Sequence, residues 1–334
     1  MSFSAQTSPA DSPSHFQYSR VCSHRFSRRT LLKGVGGLAA ASVIGGGAVV
    51  AGSAPAQAAV TVAEHEDHGR MQYYKLAPPS IGWLPRVNVL LPDGYDATRR
   101  YPVLYLLHGG GEDYSTFDTK YDIRNHTAGR DLIVVMPDGG AAGWYCDPES
   151  SNVGPRNWET FHIKELLPWV DATFATTGQA SGRAVSGFSM GGFGALKYAA
   201  KYPELFASVS SHSGPADLRI QDGALVLWAN FTASATDLKG GTVYGIPWDQ
   251  ARVSAYNPVE HVESYRGNRV FLVCGTDSDR YESIVLPSQQ NFEKALDGAG
   301  IGYERYEDTG AHIVRWGRMQ QDIDSLLNHF AKGA

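Results

Sequence analysis

The chain has 334 residues, a formal net charge of −5, and 43% hydrophobic and 19% charged residues. That length allows one or two domains, and the acidic balance argues against a nucleic-acid binder that works through phosphate contacts. The cysteines are Cys22, Cys146 and Cys274, too few for a disulfide scaffold.

The first 58 residues read as an address rather than as fold. Ser27-Arg28-Arg29-Thr30-Leu31-Leu32-Lys33 is a twin-arginine export signature, a Gly/Ala-rich apolar run follows from Gly34 to Ala51, and Ala54-Pro55-Ala56-Gln57-Ala58-Ala59 has small residues spaced for cleavage. Basic, apolar and small-residue regions stand in the order of a signal peptide. The apolar run is short and poor in strong hydrophobes, so no stable membrane insertion is expected after cleavage. The leader carries +4, which leaves −9 on the mature part, residues 59–334. No basic amphipathic stretch suits an anionic membrane. The mature length suits one large α/β domain.

Residues 60–75 are polar and read as a loose, solvated tail; His65-Glu66-Asp67-His68 offers ligand-type side chains, but nothing nearby completes a metal site. Short apolar runs bounded by Gly and Pro then predict strands at Arg86–Leu91, Tyr101–Leu107, Asp131–Met136, Arg183–Ser186, Phe206–Ser210 and Arg269–Cys274, with a more polar strand at Tyr303–Tyr306. Runs apolar on both faces point to a parallel sheet. Helices are predicted between them: Trp158–Phe174 with Asn157 as N-cap, Gly191–Lys201, Leu286–Leu296 and Met319–Phe330. Residues 216–266, with Trp228, Phe231, Tyr244, Trp248 and Tyr256, break the alternation and read as an insertion over the sheet edge. Cys274, in a core strand, reads as a small buried hydrophobe; a Cys146–Cys274 bridge is the alternative. The fold class is α/β, a mostly parallel central sheet with helices on both faces.

The chemistry centres on Gly187-Phe188-Ser189-Met190-Gly191, a G-x-S-x-G with a strand before it and a small-residue helix after it. A serine on so sharp a turn needs glycine two residues to either side, because a side chain there would strike the turn. Acyl transfer from such a serine passes through an oxyanion that two backbone N–H groups stabilise. Met190 supplies one, and Gly110, in the His108-Gly109-Gly110-Gly111 loop after a strand, supplies the other. In the chain order serine, acid, histidine, the base is His312, directly after the last strand, ahead of His212, His261 and His329. The acid follows strand Arg269–Cys274, and spacing alone leaves Asp277, Asp279 and Glu282 open.

These residues resemble the esterase family of α/β hydrolases, which includes S-formylglutathione hydrolase (esterase D) and the antigen 85 mycolyltransferases. The resemblance extends over residues 85–330 through Met136-Pro137-Asp138-Gly139-Gly140 with Trp144-Tyr145, and through Trp158-Glu159-Thr160-Phe161 with Glu165-Leu166 and Pro168-Trp169. It implies the α/β-hydrolase fold, no metal or organic cofactor, and a small-molecule or glycan ester as substrate. Glu282-Ser283-Ile284-Val285-Leu286 with Asn291-Phe292 is similar to the antigen 85 segment that opens on its glutamate acid, which favours Glu282; matching to esterase D favours Asp279. Gly110-Gly111 stands where mycolyltransferases have Leu-Arg, and Ile313-Val314 where they have Ser-Trp. These departures favour a smaller acyl group and water as acceptor. The expectation is an exported serine carboxylesterase; the alternatives are an acyltransferase with a sugar acceptor and a non-catalytic secreted binding protein.

Overall fold

A computed structural model describes residues 60–333. The predicted leader and its cleavage site lie outside the described residues. Nine strands form one sheet in the order β1-β2-β3-β5-β4-β6-β7-β8-β9. They are β1 (Thr61–His68), β2 (Met71–Ala77), β3 (Arg86–Leu90), β4 (Val103–Leu107), β5 (Ile133–Pro137), β6 (Arg183–Phe188), β7 (Ser208–His212), β8 (Arg269–Gly275) and β9 (Glu304–Asp308). The pairs from β5–β4 through β8–β9 are parallel, while β1, β2 and β3 join antiparallel.

The parallel strands are the apolar runs of the sequence, and β4, β5, β6, β7 and β8 are buried at every residue. Each Val, Leu or Ile so buried contributes roughly 1.5–3 kcal/mol, which is why these short runs pair as central strands. The larger core cluster covers one face, where α1 (Trp158–Thr160), a π-helical stretch at Phe161–Leu166 and α2 (Leu167–Thr173) pack with α3 (Met190–Lys201). The other face is covered by Phe117, Tyr121 and Ile123 and by the C-terminal helix through Met319, Ile323, Leu326 and Phe330.

Two expectations are corrected, and one alternative is set aside. Residues 60–75 form the β1–β2 hairpin rather than a tail. Alternation in β2 sends Tyr74 and Leu76 into the larger core cluster and Met71 into the cluster on the opposite face, while β1 is exposed throughout as the sheet's edge. Asn157 does not cap its helix through its side chain; its backbone N–H bonds the Ser80 carbonyl. Cys146 and Cys274 are both free and buried, so the alternative bridge is not formed.

The insertion folds as α4 (Ile220–Ala235), α5 (Gln250–Tyr256) and a 3-10 segment at Pro258–Tyr265. Then come α6 (Glu282–Ala299) and α7 (Trp316–Gly333). Among the described residues, no helix is long and apolar enough to cross a membrane.

Candidate active site

The site lies where the parallel strands end. Strand β6 runs into Ser189, which has φ 55° and ψ −118°, and α3 begins at the next residue. Backbone in this region is costly for a residue with a Cβ and persists only when its surroundings dictate it. Here the neighbours do so. A Cβ on Gly187 would lie 2.3 Å from the Gly191 backbone, and one on Gly191 would lie 2.1 Å from the Leu107 carbonyl oxygen. Helix α3 therefore sits against β4 and β6 only because both positions lack side chains. The Ser189 N–H is held by the His212 carbonyl at 2.8 Å.

His312, in the loop after β9, places Nε2 2.8 Å from Ser189 Oγ. Its ring lies between those of Phe188 and Tyr281, with centroids 4.9 and 5.0 Å away. Behind it Nδ1 is 3.4 Å from Glu282 Oε1, outside hydrogen-bond alignment; such contacts often tighten only when substrate binds. Glu282 is fully buried and accepts from Ser213 Oγ at 2.6 Å, the Gly275 N–H at 3.1 Å and Cys274 Sγ at 3.1 Å. Burial alone would raise the Glu282 carboxyl, but His312, Ser213 and Cys274 outweigh it and hold it below its ordinary value.

The other two carboxylates do different work. Asp279 Oδ2 accepts from the His312 backbone N–H at 2.7 Å, while Oδ1 accepts from Tyr281 N–H at 2.8 Å and Glu282 N–H at 2.7 Å. It ties the histidine loop to the start of α6. Asp277 accepts from the Gly310 N–H at 3.1 Å. Arg315 closes the same loop from below, donating to the carbonyls of Gly310, Ala311 and Ile313.

The two predicted oxyanion donors line one cavity with Ser189 and His312. Met190 N–H opens α3, where no earlier turn offers it an acceptor. In the glycine loop, Gly109 N–H donates to Glu112 Oε2 and Gly111 N–H to the Ala141 carbonyl, and Gly110 N–H has no acceptor among the described residues. His108 fixes this loop. Its Nε2 accepts from Gly139 N–H at 2.9 Å, so Nδ1 carries the proton and donates to the Gly109 carbonyl at 2.8 Å.

Several contributors stand outside the serine motif and its glycine loop. Ser213 sits at φ 51° and reaches Glu282. Trp144 and Tyr145 are both left-handed, at φ 51° and 54°; Tyr145 Oη donates to the His108 carbonyl at 2.8 Å, and buried Lys197 holds the Tyr145 carbonyl. Lys197 pairs with Glu159 at 2.7 Å. Burial pushes the Glu159 carboxyl up, but the ammonium groups of Lys197 and Lys201 bring it down to about 2. A lysine inside the small, apolar run of α3 was the available hint. His212 is buried beneath the site on Asp322, at 3.0 Å, and does not line the cavity.

The cavity holds about 340 Å³, and its walls include Trp144, Phe188, Trp228, Tyr281, Ala142 and Pro215. Trp228, Thr232 and Thr236 come from or just beyond α4, so the insertion does form one wall. The outer side of α4, with Leu227 and Phe231, lines a separate apolar cavity of about 840 Å³ with Ile246, Pro247 and Trp248.

An elbow serine in contact with an imidazole, with a buried carboxylate behind it, on the sheet of an α/β hydrolase, defines the class of serine hydrolases. Residues 79–322 match the family described as "Putative esterase", and the chain belongs to that family. Esterase Rv1288 of Mycobacterium tuberculosis is 55% identical over 277 residues, covering 80% of this chain and 60% of that one. The chain thus spans less than two thirds of that relative's length. The MPT51/MPB51 antigen of Mycobacterium bovis is 27% identical over 252 residues, 71% of this chain and 80% of that one. Among solved structures, an S-formylglutathione hydrolase from Agrobacterium tumefaciens superimposes with a TM-score of 0.64 at 20% identity, covering 81% of this chain and 98% of the other. That likeness is one of fold.

Proposed function

We propose that the protein is an exported serine carboxylesterase. The observation that carries this reading is the 2.8 Å contact between His312 Nε2 and Ser189 Oγ on a strained elbow at the floor of an open, largely apolar cavity. Ser189 Oγ attacks the ester carbonyl carbon as His312 Nε2 takes its proton. The N–H groups of Met190 and Gly110 hold the oxyanion, and its collapse expels the alcohol, which takes the proton back from His312. Water, deprotonated by the same nitrogen, then attacks the acyl-serine and releases the acid. Glu282 orients the imidazole and stabilises its charged form.

The test is hydrolysis of p-nitrophenyl esters from acetate to long chains by the mature protein and by Ser189→Ala. Loss of kcat by about 10⁶-fold is expected in the variant, with free acid as product whether or not a sugar acceptor is added. Equal turnover by the variant would sink the reading. Export rests on Arg28 and Arg29 with the apolar run and small-residue site that follow. Replacing both arginines by lysine should retain the protein inside the producing cell, and unchanged appearance outside it would exclude the twin-arginine route.

A further inference from the structure

The charges around the cavity are unevenly engaged. Glu112, in its wall, is bound by Lys120 at 3.0 Å, by Tyr121 Oη at 3.1 Å and by Gly109 N–H at 3.0 Å. Asp237, beside the rim, accepts from the N–H groups of Ala141 and Ala142. Asp279 is occupied by three backbone N–H groups. Every one of these carboxylates is committed to the protein.

Arg280 is not. It lines the same cavity, is exposed, and among the described residues makes no hydrogen bond or ion pair; its one contact is the ring of Tyr281, 5.4 Å from the guanidinium carbon. Arg70, Arg86, Arg99, Arg124, Arg130, Arg219, Arg266, Arg305 and Arg318 are also on or near the surface, and each donates to a side chain or carbonyl. Arg100 shares the lack of a partner, but it precedes β4, at the end of the sheet opposite the site. Arg280 is anchored next to Tyr281, whose ring stacks between His312 and Trp228, with centroids 5.0 and 5.5 Å away. Its backbone is therefore fixed one residue from the imidazole's own wall. Of the other polar lining groups, Glu112 is engaged as above, Ser189 and His312 meet each other, and Thr232 and Thr236 are neutral, so among the described residues that line the cavity Arg280 is the one lysine or arginine, and a bound ligand meets its guanidinium without displacing a protein partner. A guanidinium of this kind favours carboxylate or phosphate over neutral groups.

We propose that Arg280 makes the cavity selective for esters that carry an anionic group beyond an apolar segment, a carboxylate or a phosphate on the acyl or the alcohol side. This rests on the esterase reading above. The anion would sit at the solvent-exposed rim, where ion pairs are weak, so the expected gain is about threefold to fivefold in kcat/KM, falling as salt is raised.

Matched pairs test it. On the acyl side, mono-p-nitrophenyl glutarate and adipate are compared with p-nitrophenyl pentanoate and hexanoate. On the alcohol side, 4-acetoxybenzoate is compared with its methyl ester. The wild type is set against Arg280→Gln and Arg280→Ala, and the same pairs are titrated into Ser189→Ala, which reads binding without turnover. A preference for the anionic member that is lost in both Arg280 variants supports the proposal, and the arm that shows it tells which side of the ester bears the charge. Neutral esters turned over with an unchanged anionic-to-neutral ratio in the variants would overturn it while leaving the esterase reading intact. Absence of turnover on all esters would remove the esterase reading, and the binding titration would still decide the role of Arg280.

Discussion

The elbow at Ser189 and the turn at Asp277–Glu282 meet the same imidazole from its two nitrogens, yet they are built on different principles. The elbow is steric. Gly187 and Gly191 are there because a Cβ at either place would overlap backbone, and such a demand stays in the sequence as a fixed spacing. The turn is electrostatic and non-local. Three carboxylates lie within six residues, and only the partners each one meets separate their tasks: Ser213, Cys274 and His312 for Glu282, and three backbone N–H groups for Asp279. Steric devices tolerate almost no substitution. Electrostatic ones distribute their work over residues that a short motif does not contain.

The sharpest way to break this comparison is to exchange the roles of the carboxylates. Glu282→Gln should lower kcat by about 10³–10⁴-fold, whereas Asp279→Asn, which keeps an acceptor for the backbone, should cost roughly tenfold with KM little changed. Steady-state kinetics on one p-nitrophenyl ester decides it; the reverse order would make Asp279 the acid. Next in size is the steric side. Gly191→Ala should destabilise the protein by more than about 3 kcal/mol, seen in urea unfolding, because its Cβ meets a carbonyl oxygen at 2.1 Å. A variant with wild-type stability would mean that the elbow is looser than it looks.

The smallest effect concerns pH. Burial lowers the His162 imidazole to about 3. The folded protein therefore keeps it neutral while the unfolded chain takes up a proton below about 6.5. Stability is present above that value and is lost as pH falls toward 3, by on the order of 1 kcal/mol per pH unit. Melting temperatures between pH 6.5 and 4 should fall less steeply in His162→Gln than in the wild type. Asp322 and Glu159, both held near 2 by charged partners that outweigh their burial, add a further loss below about pH 4.

Much of the fold was legible because its signals are local. The buried strands β4, β5 and β8 are continuous apolar runs, and Gly or Pro ends them. The hairpin β1–β2 was not legible, because an edge strand exposed at every residue carries no apolar pattern, and its pairing depends on β3 some twenty residues later. Ser189, Met190, Gly110 and His312 stand in one cavity, as the motif and the strand-end positions suggested. The choice among Asp277, Asp279 and Glu282 needed the family resemblance, because the chain's own spacing is silent on which carboxylate turns inward. Ser213 left no trace, Lys197 only the hint of a lysine in an apolar run, and Trp144-Tyr145 only the resemblance, since what fixes each lies in another segment: Glu282, Glu159 and His108.

One feature of the far side of the sheet bears on the life of the molecule before it is an enzyme. Asp322 in α7 receives Ser210 at 2.6 Å, His212 at 3.0 Å and Arg269 at 2.8 Å, joining β7 and β8 under the site, and it is the His212 carbonyl that holds the Ser189 N–H. His312 follows Ser189 by 123 residues, and Asp322 lies further on. A nascent chain therefore carries Ser189 long before it has the imidazole that meets the serine or the clasp beneath the elbow.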